Sequence, residues 1–349
     1  MRFADSRVLV RVPEKRKKEG IRYALSPDGI ELPVIDLGHS AFRIEVSEEE
    51  LAGRMSEAVR DIEARRRAPP LVSKIMLKLL LRGSLLAKAV SGARGGYVSG
   101  MGTYLLKLGP ENLGGGYAKR IDRAIASSLP CLSARLRLAA VAELLALSLR
   151  RPLIESPGAE LILVALAGGP AVDCLNALLA VRREGSGVLE GRRIRILVLD
   201  RDTDGPAFGG RALAALTAGE GPLSGLDVAL ESRAYDWDEA STLPAALGGA
   251  GAIVALSSEG GLFEYGSDEA ISANLRAIRR LAPGAVAFVG TMSKAEGEAG
   301  LVNRASGAAL RFRSLGELAS LAEAAGWAMG ERRGCPLAEV FALRPEGPA

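Results

Sequence analysis

A buried strand, a tight glycine turn and a helix follow one another between residues 161 and 179, and this succession constrains the fold most. Residues 161–166 are all apolar, and the turn Ala-Gly-Gly-Pro occupies 167–170. A second apolar run, 194–199, ends in Asp200. A glycine turn that opens a helix, with an acid at the end of the next strand, is how a mononucleotide-type half site holds an adenosine. The acid can accept hydrogen bonds from two ribose hydroxyls.

Apolar runs and helical stretches alternate regularly after residue 160. The strand-like runs are 161–167, 194–199, 226–230, 252–257, 285–290 and 338–343, and the helical stretches are 171–183, 206–218, 239–247, 267–281 and 314–325. Solidly apolar strands that alternate with helices are typical of a parallel sheet covered on both faces. We therefore predict an α/β fold with a doubly wound, mostly parallel, seven-stranded sheet. The last elements predict an antiparallel hairpin at its C-terminal edge.

The sequence before residue 156 is organised differently. Residues 1–46 predict a β-like arm, with short strands at 7–12 and 42–46. Residues 47–155 predict a mainly helical cap or lid domain that precedes the sheet domain of residues 156–349. Ser47 is in position to cap a helix that ends at Arg67, and a basic amphipathic helix is predicted over 71–90. A further helix is predicted over 133–150, and the Gly- and Tyr-rich segment 91–118 is either a lid or a connector.

Composition limits the classes of function. The chain has 349 residues, of which 48% are hydrophobic and 25% charged, as in soluble globular proteins. We expect a cytoplasmic protein without stable membrane insertion, since the sequence shows no long apolar run and no signal peptide. His39 is the only histidine and the three cysteines show no CxxC pair, so no metal site is expected. The dominance of Ala, Leu and Gly indicates GC-rich bacterial coding.

Charge is unevenly distributed along the chain. Residues 1–160 hold 27 Lys and Arg against 18 Asp and Glu, whereas the remainder holds 18 against 23, which gives the net charge of +4. A basic N-terminal half is compatible with an anionic substrate or simply with a solvated surface. The basic run at 15–18 is too short and too poor in aromatic residues to indicate nucleic-acid binding, and we expect none.

The block from residue 161 onwards resembles the class I S-adenosylmethionine (SAM)-dependent methyltransferases, closest to the small-molecule and carboxyl methyltransferases. The likeness covers just over half the chain and rests on the turn at 165–171, on Leu199-Asp-Arg-Asp202, on Tyr235-Asp-Trp237 and on the terminal strand pair. The family's acid before the turn is Ala165 here, and its first and third glycines fall on Ala167 and Ala171. A dinucleotide enzyme would need a full GxGxxG to seat its pyrophosphate, whereas SAM has no phosphates.

The resemblance implies a cofactor, SAM, and a set of residues that would hold it. Asp200 would accept from the ribose, and Asp236 would accept from the adenine amino group with Trp237 packed nearby. The implied cofactor-binding residues are Ala167, Gly168, Gly169, Pro170, Asp200, Arg201, Asp202, Asp236, Trp237 and Ser257.

The segment Ser258-Glu-Gly-Gly-Leu-Phe-Glu-Tyr-Gly-Ser-Asp268 is similar to one found in carboxyl methyltransferases, including those that form fatty-acid methyl esters. It places side chains at the cleft that a doubly wound sheet forms at the carboxyl ends of its strands. The candidate substrate residues are Tyr97, Lys107, Arg120, Phe263 and Tyr265. If the acceptor is a hydroxyl or an amine, the candidate bases are Glu259, Tyr104 and Tyr117.

The sequence therefore predicts SAM-dependent methyl transfer to a small molecule, with an anionic or carboxylate acceptor as one option. A carboxylate would need no base, because it has no proton to lose, and the leaving group of a sulfonium is already activated. Two alternatives stay open, an aminocarboxypropyl transferase of the nicotianamine-synthase type and a non-catalytic SAM-fold binding protein. Pairing of helices 49–90 between two copies, which would give a homodimer, also stays open.

Overall fold

The computed structural model describes residues 9–67, 84–91, 97–114, 117–245, 247–249 and 251–347. The α-helices are α1 (Glu48–Arg67), α2 (Leu85–Ser91), α3 (Gly100–Lys107), α4 (Arg120–Ala126), α5 (Leu129–Glu155), α6 (Val172–Arg183), α7 (Asp204–Thr217), α8 (Leu262–Tyr265), α9 (Asp268–Leu281), α10 (Gly297–Ala305) and α11 (Leu315–Glu323). The strands are β1 (Tyr23–Leu25), β2 (Glu31–Pro33), β3 (Leu161–Leu166), β4 (Arg193–Asp200), β5 (Asp227–Ala234), β6 (Ile253–Ser258), β7 (Ala285–Ser293), β8 (Trp327–Gly334) and β9 (Ala338–Pro345).

Seven strands form one mixed sheet in the order β5-β4-β3-β6-β7-β9-β8. The pairs from β5 to β7 are parallel, whereas β9 runs antiparallel to both β7 and β8. The order reverses between β3 and β6, which creates the crevice where ligands of doubly wound sheets bind. The predicted seven-stranded sheet with its C-terminal antiparallel hairpin is confirmed.

The apolar strand β3 is buried on both of its faces. Leu161, Leu163 and Ala165 belong to one hydrophobic cluster, whereas Ile162 and Val164 belong to another. Successive side chains of a strand point to opposite faces, so each face of β3 packs under a separate helical layer. Helices α5 and α6 cover the first face, and α9 and α11 contribute to the second. This two-sided burial explains why the strand sequences are continuously apolar rather than alternating.

The N-terminal segments pack into the same core. The antiparallel pair β1–β2 forms a separate two-stranded sheet, and Leu32, Val34 and Phe42 join the cluster that contains α5 and β3. Helix α5 packs on α6 and on strands β6, β7 and β9. The domain boundaries at residues 46 and 155 stay predictions. Within the described residues, no helix combines the length and apolarity needed to cross a membrane.

Local predictions differ from the structure in several places. The stretch 239–247 is not an α-helix, because a kinked 3₁₀ turn covers Trp237–Thr242. Residues 43–46 do not form a strand. Helices α8 and α10 were not predicted, since both are short and lack a long apolar period. The predicted helix over 71–90 falls mostly on residues outside the described part of the chain. Helix α2 covers the end of the predicted range.

Two alanines in the turn after β3 adopt a left-handed backbone. Ala167 has φ 55° and Ala171 has φ 53°, and no other described residue except glycine has a positive φ. This conformation costs a residue with a Cβ about 1–2 kcal/mol. The turn thus keeps a glycine-type backbone at the two positions where the methyltransferase pattern has glycine and this sequence has alanine. The neighbouring contacts impose the conformation on a residue type that does not prefer it.

Replacing Ala167 by glycine should relieve this strain. Ala167 is half-buried, so little apolar burial is lost, although glycine adds about 0.5–1 kcal/mol of chain entropy. We expect the free energy of unfolding of Ala167→Gly to rise by up to about 1 kcal/mol, as measured by urea denaturation. The control is Ala214→Gly on the exposed side of α7, which should lower it by about 1 kcal/mol. A loss of stability in both variants would contradict strain at Ala167.

Candidate functional site

A cleft of about 770 Å³ lies at the carboxyl ends of β3, β4, β5 and β6, where the strand order reverses. The glycine turn, the loops after β4, β5 and β6, and helices α3 and α5 line it. The cleft lining includes Tyr97, Tyr104, Lys107, Ala167, Gly168, Gly169, Pro170, Asp200, Arg201, Asp202, Trp237, Glu259 and Tyr265. The fold thus brings most of the sequence-predicted site residues into one cavity.

Asp200 ends strand β4 and holds the glycine turn in place. Its Oδ2 accepts from the Gly169 N–H at 2.8 Å, and its Oδ1 accepts from the Asp202 N–H at 2.8 Å. Burial raises the pKa of Asp200, and these backbone N–H donors oppose that rise. Two fixed N–H donors leave the other lone pairs of the carboxylate for a ligand in the cleft.

The N-terminus of α3 lies directly on the glycine turn. A Cβ on Gly100 would come within 2.8 Å of the Gly169 Cα, and a Cβ on Gly169 would come equally close to the Gly100 Cα. Asp202 fastens this contact, because its Oδ2 accepts from the Gly100 N–H at 3.1 Å. Glycine is therefore required on both sides, and α3 forms a wall over the turn.

Three of the predicted aromatic residues meet at the cleft. The ring of Tyr97 lies 4.8 Å from that of Tyr265 and 6.1 Å from that of Trp237, centroid to centroid. Asn274 holds the Trp237 loop by donating to the Trp237 carbonyl at 2.7 Å and accepting from the Tyr235 hydroxyl at 2.5 Å. These rings form an apolar wall of a kind that packs against flat ligands.

Asp236 is not among the residues that line the cleft, although its neighbours Tyr235 and Trp237 are, and its role at the adenine stays a prediction. Its Oδ2 pairs with Arg201, and its Oδ1 accepts from the Asp238 N–H at 3.1 Å, which caps the 3₁₀ turn. Arg201 itself does line the cleft. The ion pair between Arg201 and Asp236 therefore joins the loops after β4 and β5.

A chain of buried ion pairs lies at the end of β6. Lys107 of α3 pairs with one oxygen of Glu259, and Arg137 of α5 donates to the other at 2.6 Å. Arg137 also donates to Glu264 at 3.0 Å, and Glu264 accepts from the Thr291 hydroxyl at 2.7 Å. The cluster links two helices of the N-terminal segments to the sheet.

The surroundings of Glu259 do not favour its predicted role as a base. Burial alone would raise its pKa, but the Lys107 ammonium and the Arg137 guanidinium outweigh burial and hold the pKa at about 2. A carboxylate with so low a pKa is a weak proton acceptor at neutral pH. Lys107 is in turn neutralised by Glu259, so it offers an incoming anion no unpaired charge.

The two tyrosines proposed as bases are also engaged elsewhere. Tyr104 is buried, donates its hydroxyl proton to the Pro33 carbonyl at 2.6 Å and accepts from the Ile35 N–H at 3.1 Å. Burial raises the pKa of Tyr104 well above its usual range. Tyr117 lines a separate cavity of about 330 Å³ instead of the cleft. Burial raises its pKa to about 12, so the surroundings of both tyrosines disfavour the phenolate form that a base would need.

Three further candidates lie outside the cleft. Arg120 is exposed at the start of α4. Phe263 is packed in the core between the rings of Phe288 and Phe341, at 5.0 and 5.1 Å. Ser257 is fully buried behind the cleft, 3.6 Å from the Cys174 Sγ. The alternation of side chains along β6 directs Ser257 away from the ligand space, and Phe263 is taken up by the apolar core.

Sequence reasoning missed four charged residues of the cleft, namely Arg137, Asp173, Asp204 and Glu264. Arg137 lies in a long, mostly apolar helix, and a buried cation there has no local sequence pattern. Asp173 lies in the first turn of α6, where an acid is expected from the helix dipole alone. Glu264 lies inside the segment 258–268, and its place there was the one available indication.

The cleft is acidic although the chain as a whole is basic. Six carboxylates and three cations line it among the described residues: Asp173, Asp200, Asp202, Asp204, Glu259 and Glu264 against Lys107, Arg137 and Arg201. Each of the three cations is paired with a carboxylate. The local field therefore favours a cationic ligand.

No protein-family model matches the sequence, and no curated protein does. The fold is similar to a possible exported protein from Bordetella parapertussis (TM-score 0.55, 19% identity, 87% of this chain and 98% of that chain). Weaker likenesses include a 1,6-didemethyltoxoflavin-N1-methyltransferase from Burkholderia thailandensis with bound S-adenosylhomocysteine (TM-score 0.39, 16% identity, 60% and 79%). Another is a magnesium protoporphyrin IX methyltransferase from Synechocystis PCC 6803 with bound SAH (TM-score 0.42, 12% identity, 67% and 90%).

Removing the charge of Glu259 should destabilise the protein in a pH-dependent way. The folded-state pKa of about 2 lies below the ordinary value of 4.5. The charged carboxylate therefore contributes stability above about pH 4.5, and the contribution is lost as pH falls from 4.5 towards 2. We expect Glu259→Gln to lower the free energy of unfolding by about 3 kcal/mol at pH 7.

The measurement is urea unfolding of both proteins between pH 7 and pH 3, in which the difference should shrink as the pH falls. Glu298→Gln, at an exposed position of α10, serves as control and should stay within about 0.5 kcal/mol of the parent protein. A difference for Glu259→Gln that is the same at every pH would contradict the role of its charge.

Proposed function

We propose that this protein is a SAM-dependent methyltransferase that acts on a small-molecule acceptor. The observation that carries the proposal is the Asp200 carboxylate, which ends β4 beside the glycine turn in the cleft at the switch point of the sheet. An acid in this position suits the two hydroxyls of an adenosine ribose. The antiparallel β8–β9 pair adds support, because it is the feature that distinguishes the resembled methyltransferases from nicotinamide dehydrogenases.

The charge of the cleft supports SAM rather than a dinucleotide. A dinucleotide carries two phosphates, which need helix N–H groups or unpaired cations. Every cation that lines the cleft is already paired, and acids outnumber cations there. SAM carries a sulfonium and an ammonium against one carboxylate, so it complements an acidic cavity. A cleft of about 770 Å³ lies within the range of small-molecule sites.

SAM, when bound, supplies a methyl group on a sulfonium that is already activated for transfer. The residues of this chain therefore need mainly to align the acceptor and to exclude water. Gly100 and Asp202 close α3 over the glycine turn. The ion pairs of Lys107 and Arg137 hold α3 and α5 against the sheet, so the cavity keeps its shape between binding events.

For the acceptor, the cleft supports a neutral molecule with a flat face. The rings of Tyr97, Tyr265 and Trp237 offer it a packing surface. An anionic acceptor would have to displace Glu259 from Lys107 and Arg137, at the cost of leaving a buried carboxylate unpaired. We therefore place a neutral acceptor ahead of the anionic one that the basic N-terminal half favours.

Calorimetric titration with SAM, S-adenosylhomocysteine and NAD tests the cofactor. We expect micromolar binding of SAM and S-adenosylhomocysteine and none of NAD. Asp200→Asn should weaken SAM binding by about 10- to 100-fold, because a charge-assisted pair of hydrogen bonds to the ribose is lost. Asparagine is preferable to alanine, since its one oxygen still accepts from one of the two N–H groups, of Gly169 and Asp202, that Asp200 holds.

The matched control is Asp227→Asn, which removes an acid from the exposed start of β5. It should leave SAM binding unchanged. Binding of NAD alone would overturn the proposal, and binding of no adenosine ligand would favour a non-catalytic role.

A further inference from the structure

Asp173 carries an unsatisfied oxygen at the floor of the cleft. It is the second residue of α6, only 3% of its surface is exposed, and it lines the cavity. Its Oδ1 accepts from the Cys174 N–H at 2.9 Å. Its Oδ2 has no hydrogen-bond partner, and no other buried side-chain nitrogen or oxygen among the described residues is left so. A buried acceptor without a donor is unusual in proteins, and a ligand could supply the donor that is missing here.

The neighbouring charges leave Asp173 as the unbalanced acid. Lys107 is close enough to favour the charged form of Asp173, but its ammonium pairs with Glu259. Arg137 is divided between Glu259 and Glu264. Two cations thus serve two glutamates, and a buried carboxylate without a cation costs several kcal/mol. A ligand that brings a positive charge would restore the balance.

Burial raises the pKa of Asp173, and the nearby Ser257 hydroxyl and the Cys174 N–H offset that rise only in part. A ligand atom that donates a hydrogen bond would give Oδ2 its missing partner, and a positive charge on that atom would stabilise the buried carboxylate. A donor that is itself cationic fits best, because charge-assisted hydrogen bonds are the stronger ones.

We propose that Asp173 receives the α-ammonium group of the aminocarboxypropyl arm of SAM. This inference rests on the proposed function. The glycine turn separates Asp200, which bonds to Gly169, from Asp173, which begins the following helix. A ligand whose ribose lies on Asp200 therefore directs its arm along the turn towards Asp173. The ammonium then supplies the donor for Oδ2 and the positive charge that the cluster lacks.

Two adenosine ligands with and without the arm test the assignment. S-adenosylhomocysteine carries the ammonium, whereas 5′-methylthioadenosine has the same adenosine and sulfur but no arm. We expect Asp173→Asn to weaken binding of S-adenosylhomocysteine by about 10- to 100-fold in calorimetry, and binding of 5′-methylthioadenosine by less than twofold. Asp173→Ser, which keeps an acceptor for the Cys174 N–H, should show the same pattern.

Asp204→Asn removes the same charge from the exposed side of the same cleft and, because it acts only through the overall field, should weaken binding of S-adenosylhomocysteine by clearly less than Asp173→Asn does. Equal loss in Asp204→Asn and Asp173→Asn would overturn the inference, because the effect would then come from the overall field. Equal effects of Asp173→Asn on both ligands, or no effect on either, would also overturn it while the proposed function stands. If the parent protein binds neither ligand, the proposed function itself fails and the inference fails with it.

Discussion

The buried ion pairs among Lys107, Glu259, Arg137 and Glu264 are the interaction on which the site depends. They join α3 and α5, which belong to the N-terminal segments, to the ends of β6 and β7. Hydrophobic packing alone would allow these helices to slide over the sheet, because it has no direction. Charged hydrogen bonds fix distance and orientation together. The walls of the cavity above the sheet come from distant parts of the chain, and the ion pairs fix their positions relative to one another.

Glycine-type backbone geometry is the second constraint. Gly100 and Gly169 approach so closely that neither tolerates a side chain, and Asp200 and Asp202 hold the two segments by accepting their N–H groups. Ala167 and Ala171 keep the left-handed conformation despite their methyl groups. The turn thus retains its shape through its neighbours, which explains how a turn with alanine at positions 167 and 171 can line the cleft.

Net charge describes this molecule poorly. The chain is basic overall, but acids predominate among the residues that line the cleft. Lysine and arginine side chains reach the cleft and are neutralised there by Glu259, Glu264 and Asp236. The charge that remains in the cleft after this pairing is negative, whereas the net charge of the chain is positive. The charge of the cleft therefore supports a cationic ligand, whereas the net charge of the chain would have suggested an anionic one.

The sequence by itself determined the architecture and the position of the ligand cleft. The alternation of apolar runs and helices predicts the doubly wound sheet, and Asp200, the glycine turn, Tyr97, Trp237 and Tyr265 were all identifiable as cleft residues. These features can be recognised from short stretches of sequence, because hydrophobic periodicity and the end of a strand depend on neighbouring residues.

The surroundings of the acids and tyrosines depend on contacts between distant parts of the chain. The pKa of Glu259 is lowered by Lys107, which is 152 residues away in the chain. Tyr104 is bound to backbone groups 69 and 71 residues away, and the Oδ2 of Asp173 is left without a partner. The pKa of each group depends on burial and on the charges brought beside it by folding, and neither is written in the local sequence.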